Sequence, residues 1–195
     1  MNPLLEIIRD RIRANGPMPL EDYMELCLAH PDHGYYRTRD PLGASGDFVT
    51  APEVSQMFGE VIGAWCAHIW LTMGQPDPFL LVELGPGRGT LMADMLRTAG
   101  QLPGFASGVR VCLVETSPTL IERQKEKLLP ITENIKWFDH ISELPEGPTI
   151  LVANEFFDAL PIRPLVRTGD KWQDRAIGLN AVGNLVWNHR GGTDL

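Results

Sequence analysis

The segment Leu81-Val82-Glu83-Leu84-Gly85-Pro86-Gly87-Arg88-Gly89-Thr90 carries the clearest chemical pattern in the chain. An apolar strand ends in an acid, Glu83. Gly85, Gly87 and Gly89 follow at alternate positions, and a helix opens at Thr90. Glycine allows a tight turn and lets a ligand approach with no Cβ in the way. The helix after it offers free N–H groups in its first turn. Such a turn suits a nucleotide-like ligand at the mouth of a strand. Val109-Arg110-Val111-Cys112-Leu113-Val114-Glu115 is a second apolar strand ending in an acid, 30 residues beyond Gly85. A carboxylate at that place can accept both hydroxyls of an adenosine ribose.

The glycine spacing separates ligand classes. Dinucleotide folds use G-x-G-x-x-G, and the slot of the third glycine is Thr90 here. An oxidoreductase using NAD is therefore disfavoured. Arg88 is the one basic residue in the loop, which argues against a 2′-phosphate ligand. The pattern E-x-G-x-G-x-G resembles the first motif of class I S-adenosylmethionine (SAM) methyltransferases, where the loop wraps the amino-acid end of SAM. That resemblance implies that Glu83 supports the loop and meets the methionine ammonium through water, with Glu115 on the ribose.

Two further strand ends carry acids. Asp139 follows the strand Ile135-Lys136-Trp137-Phe138, where it either meets an adenine amino group or caps the turn at Ile141–Leu144. His140 reads as a surface loop residue. The strand Thr149–Ala153 runs into Asn154-Glu155-Phe156-Phe157-Asp158-Ala159-Leu160-Pro161. Asn154 can cap a short helix, which places Glu155 and Asp158 on one face of it. In a SAM enzyme this position faces the transferable methyl. Two carboxylates there suit a guanidinium acceptor; as first-turn acids they also simply complement the helix dipole.

Four motifs occur in order: Pro31-x-x-Gly34-Tyr35-Tyr36, then Gly46-Asp47-Phe48-Val49-Thr50-Ala51-Pro52-Glu53-Val54-Ser55-Gln56, then the glycine loop, then Ala153–Pro161. Together they resemble the MidA family of class I methyltransferases. Its mitochondrial members are complex I assembly factors that methylate an arginine of a complex I subunit. The resemblance implies SAM as cofactor, protein arginine N-methylation as activity, and a protein substrate. It also puts Gly46 and Asp47 over the SAM site. On this reading Glu155 and Asp158 are the catalytic pair, orienting the guanidinium and stabilising its proton loss. The competing reading is a catalytically silent SAM-binding assembly chaperone.

The positioning elements follow from periodicity. Helices are expected at 3–15 and about 19–29, the latter stopping at His30-Pro31. Thr50-Ala51-Pro52-Glu53 reads as a capping box opening one long helix. Its stripe Met57-Val61-Trp65-Ile69, widened by Phe58, Ile62, Cys66 and Trp70, is expected to be buried on most sides. Strands at 79–84, 109–115, 135–138 and 149–153 alternate with helices at 90–99 and 118–129. The fold class is α/β: a doubly wound, Rossmann-like parallel sheet. Segments 163–168, 173–179 and 184–188, separated by Gly169-Asp170 and Gly183-Asn184, are expected to form an antiparallel meander. The domain division expected is 1–78 as a helical segment packing on the core, 79–162 as the SAM-binding core and 163–195 as a β insertion. A class I sheet has seven strands, so the sequence also reads as a fragment lacking the last ones, with an exposed edge.

Composition narrows the partners. The 195 residues are 44% hydrophobic and 22% charged, as in an ordinary globular protein. A net charge of −8 and the lack of a basic run disfavour nucleic acid. Cys27, Cys66 and Cys112 have no metal-ligand spacing and read as buried thiols in a reducing compartment. No apolar run reaches the ~18 residues of a membrane span. Arg9, Arg11 and Arg13 are interrupted by Asp10 and follow Glu6, unlike an acid-poor presequence. A bacterial-type cytoplasm is the simpler setting, with the mitochondrial matrix as the setting in a eukaryote.

Overall fold

The computed structural model describes residues 2–35 and 50–193. The chain divides into two compact units, Met1–Asp40 with Asp158–Leu195, and Pro41–Phe157.

The first unit joins two helices to an antiparallel sheet. Helix α1 (Pro3–Asn15) starts where the Asn2 side chain accepts from the Leu4 N–H at 3.1 Å, with Pro3 in the first turn. Strand β1 (Met18–Pro19) and helix α2 (Leu20–Ala29) follow. Leu4, Ile8 and Ile12 of α1 pack with Met18, Leu26 and Ile177 in one apolar cluster. Strands β6 (Leu165–Thr168), β7 (Lys171–Leu179) and β8 (Leu185–Thr193) form the expected antiparallel meander, and β1 also pairs with β7. The sequence reading draws its boundaries at 78 and 162; here the N-terminal helices share a unit with the meander.

The second unit is the parallel sheet. Strands β2 (Phe79–Leu84), β3 (Val109–Val114), β4 (Ile135–Phe138) and β5 (Thr149–Ala153) lie in the order β4-β3-β2-β5, all parallel. The chain steps outward from β2 to β4, then returns to the other side of β2. That reversal is the switch point of a doubly wound sheet. β2 is buried at every position. Its odd-numbered residues Phe79 and Leu81 join Val111, Leu113 and Ile150 in one core; Leu80, Val82 and Leu84 face the other. Among the described residues β5 is an edge, and its Leu151 is exposed.

Helices α3 (Ala51–Val54) and α4 (Gln56–Thr72) depart from the expected single helix. Ser55, at φ −147° and ψ 118°, breaks the run. Thr50 makes no side-chain capping bond; the Glu53 N–H donates to the Thr50 carbonyl at 2.9 Å, and the Glu53 carboxylate accepts from Thr90 instead of completing a capping box. The expected burial of the Met57-Val61-Trp65 stripe is also corrected: these residues are 69%, 60% and 51% exposed. The buried face is Gly59, Gly63, Cys66 and Trp70. Helix α5 (Thr90–Ala99) explains the choice. A Cβ on Gly59 would lie 2.5 Å from the Asp94 Cβ, and one on Gly63 2.7 Å from the Met95 Cα. Two small residues one turn apart admit the neighbouring helix more closely than the bulky stripe could. Trp70 closes this core against Phe79 and Phe105, its indole N–H donating to the Pro76 carbonyl at 3.0 Å.

Candidate active site

Parallel register brings the strand ends level. Leu84 pairs with Val114 and with Ala153, and Val114 pairs with Phe138. The glycine loop, Glu115, Asp139 and Asn154-Glu155 therefore all leave the sheet at one edge. The Gly85 N–H donates to the Val114 carbonyl at 3.0 Å, and the Glu115 N–H to the Phe138 carbonyl at 3.0 Å.

The loop needs its glycines. Gly85, Gly87 and Gly89 have φ of 61°, 54° and 76°, the left-handed region that L side chains rarely enter. Space adds a second reason at two of them. A Cβ on Gly85 would sit 2.6 Å from Cδ2 of Phe156, and one on Gly89 3.2 Å from Cδ1 of Leu128. The Gly89 N–H closes the turn on the Pro86 carbonyl at 2.8 Å, and α5 begins at the next residue.

Beneath the loop, Glu83 is 2% exposed, and its Oε2 has no hydrogen-bond partner among the described residues. Burial pushes its carboxyl up to about 8. An orphaned buried acceptor is costly, and a cationic partner would satisfy it.

Glu115 is held by its own chain. Its Oε1 accepts from the N–H groups of Thr116 at 2.9 Å and Ser117 at 2.8 Å. Its Oε2 accepts from Nε2 of Gln124 at 3.3 Å. Burial raises its pKa, and these three donors oppose the rise. Helix α7 (Pro118–Leu128; the short α6 spans Phe105–Gly108) starts beside it, its first turn capped by Ser117.

Asp139 sits at the same edge and is exposed. The capping alternative belongs to its neighbour: Nδ1 of His140 accepts from the Ser142 N–H at 3.2 Å. Asp139 instead donates its own N–H to Glu143 at 3.1 Å. The shared helix face expected for Glu155 and Asp158 is not there. The turn is only Phe157–Ala159, and Glu155 precedes it at φ 48°. A non-glycine residue in this region is strained, a state that clusters at functional sites. Asp158 lies in the turn and belongs to the other unit. Gly46 and Asp47 lie outside the described residues.

Three residues here were not singled out from the sequence as site residues. Phe156 covers Gly85. Glu53 accepts from the Thr90 hydroxyl at 2.7 Å and lies 4.0 Å from Nη1 of Arg88, tying α3 to the glycine loop. Gln124 joins Glu115 to the carbonyl of Gly87, to which it donates at 2.7 Å. Leu120, Gln124 and Leu128 share a four-residue spacing, and all three are buried. That spacing was the available signal for an inward glutamine.

The family model described as "Putative S-adenosyl-L-methionine-dependent methyltransferase" matches residues 61–193. The chain belongs to this family. It is 39% identical to the zebrafish (Danio rerio) protein arginine methyltransferase NDUFAF7, mitochondrial, over 91% of this chain and 47% of that protein. Against the human (Homo sapiens) protein of the same name it is 38% identical, covering 89% and 44%. The chain thus spans about half the length of the curated relatives it matches. A crystal structure of a Burkholderia thailandensis protein bound to S-adenosyl-homocysteine superposes with TM-score 0.79 at 29% identity, over 96% of this chain and 49% of that one.

Proposed function

We propose that this chain binds SAM at the carboxyl edge of its parallel sheet and serves transfer of the methyl group to an arginine of a protein. The observation that carries the reading is the joint placement of three left-handed glycines and Glu115 at adjacent strand ends. The family match and the S-adenosyl-homocysteine in the Burkholderia relative support the ligand; the names of the mitochondrial relatives support the arginine.

The site's chemistry fits SAM. The orphaned Glu83 carboxylate suits the ammonium, the glycine cradle leaves backbone room for the amino-acid end, and Glu115 suits the ribose. Asp139, with Gly46 and Asp47, completes the proposed contacts. Bound SAM supplies an electrophilic methyl group on a sulfonium. The chain's part is alignment: the acceptor nitrogen must meet that methyl in line, and holding both partners lowers the barrier. Glu155 and Asp158 are the proposed catalytic carboxylates. They orient the guanidinium and favour loss of its proton.

The proposed substrate is a protein of respiratory complex I, as the resemblance of the four motifs to the MidA family implies. The proposed setting is a bacterial-type cytoplasm or, in a eukaryote, the mitochondrial matrix. Among the described residues no helix is long and apolar enough to cross a membrane. Mass spectrometry of a cell extract incubated with the chain and isotope-labelled SAM tests the activity. Labelled methyl-arginine in a protein supports it. SAM binding with no labelled protein favours the assembly-chaperone reading.

A further inference from the structure

Gln124 belongs to none of the four sequence motifs, yet it is fully buried and every principal group of its amide is engaged. Nε2 donates to the Gly87 carbonyl at 2.7 Å and to Oε2 of Glu115 at 3.3 Å. Oε1 accepts from Nε1 of Trp137 at 2.8 Å. An indole can only donate, and a carbonyl and a carboxylate can only accept. The opposite amide orientation would oppose like groups at all three contacts, so the partners dictate which end is which. The helix also lies against the loop itself: a Cβ on Gly89 would come within 3.5 Å of Cγ of Gln124.

These bonds decide what Glu115 has left for a ligand. Two N–H groups occupy the acceptor positions of Oε1, and Gln124 takes one of the two on Oε2. Among the described residues one acceptor position stays open. We infer that Gln124 is a positioning residue for cofactor recognition: its amide locks the Gly87 carbonyl and the Glu115 carboxylate in one register and reserves a single Oε2 lone pair for a ribose hydroxyl. The inference rests on the SAM reading above. A buried glutamine that merely filled the core would affect all ligands of the site alike, whereas this one governs the response to the ribose hydroxyls.

The test is calorimetric affinity for S-adenosylhomocysteine and for its analogue lacking both ribose hydroxyls. The wild-type chain is expected to prefer the parent ligand by about tenfold or more, the scale of a hydrogen bond to a charged group. Gln124→Met keeps the length of the side chain and removes all three bonds. It should reduce that preference to roughly threefold or less. Trp137→Phe, which removes the donor that anchors Oε1 and leaves the amide held at its Nε2 end alone, should also reduce it. If Gln124→Met keeps the full wild-type preference, even with both affinities lowered, the inference is overturned. If Gln124→Met does not give the wild-type circular dichroism spectrum, Trp137→Phe decides on the same ratio. A wild-type chain that binds both ligands equally overturns the inference together with the Glu115–ribose contact but leaves SAM binding standing; one that binds neither removes the cofactor reading beneath it.

Discussion

The Phe156 ring occupies the space above Gly85: a Cβ built on that glycine would stand 2.6 Å from Cδ2 of the ring. The last motif of the chain is thereby packed onto the glycine loop, with Phe156 also edge-on to Phe157 at 5.6 Å. Gly85→Ala should thus disturb two motifs together. It meets a left-handed backbone, which costs about 1–2 kcal/mol, and a ring that must move. The expected outcome is a clear fall in the midpoint of thermal unfolding and loss of SAM affinity. Phe156→Ala in the same background should recover part of the stability. Wild-type stability and affinity in Gly85→Ala would show that the contact is not there.

Glu83 makes stability depend on pH in an unusual direction. Its carboxyl titrates near 8 when folded, against an ordinary value of 4.5. The folded ligand-free chain therefore keeps a proton that the unfolded chain gives up. Its contribution is fully present below about pH 4.5 and is lost as pH rises toward about 8. Glu83→Gln stays neutral throughout. In denaturant titrations it should flatten this decline and gain on the wild type as pH rises across that window. An unchanged slope would place the Glu83 carboxylate in a solvated setting.

Glu155 and Asp158 should matter for methyl transfer more than for SAM affinity. The double variant Glu155→Gln, Asp158→Asn keeps size and removes both charges. Affinity should stay near wild type, while the rate of protein methylation falls by roughly a hundredfold or more, the range of general acid–base roles. Equal rates would reduce both residues to turn formers. Loss of SAM affinity would move them to the cofactor.

Two tryptophans of α4 should separate sharply. Trp70 is 2% exposed and Trp65 51% exposed. Trp70→Ala removes a ring from the Phe79–Phe105 cluster and should cost about 3–5 kcal/mol. Trp65→Ala should stay within about 1 kcal/mol, since most surface substitutions are mild. Comparable losses in chemical denaturation would contradict the orientation of the helix.

The sheet was legible because punctuation and periodicity agreed. Gly100 ends α5, Ser117-Pro118 opens α7, and the apolar runs at 79–84 and 149–153 are strands. The glycine loop and Glu115 were legible because strand-end chemistry is local. What failed depended on distant partners. Glu53 has the spacing of a capping acid, but its partner Thr90 lies 37 residues on. The stripe of α4 is apolar yet outward, because Gly59 and Gly63 offer α5 a closer approach. Glu155 lost its helix because the turn holds only three residues, Phe157–Ala159.

The central claim is a SAM site between the glycine loop and Glu115, and calorimetric titration of the chain with SAM and with NAD tests it most directly. The account predicts saturable SAM binding, no NAD binding, and a loss of roughly 1.5–3 kcal/mol of SAM affinity in a folded Glu115→Ala variant. NAD binding without SAM binding, or SAM affinity unchanged in that variant, would contradict it.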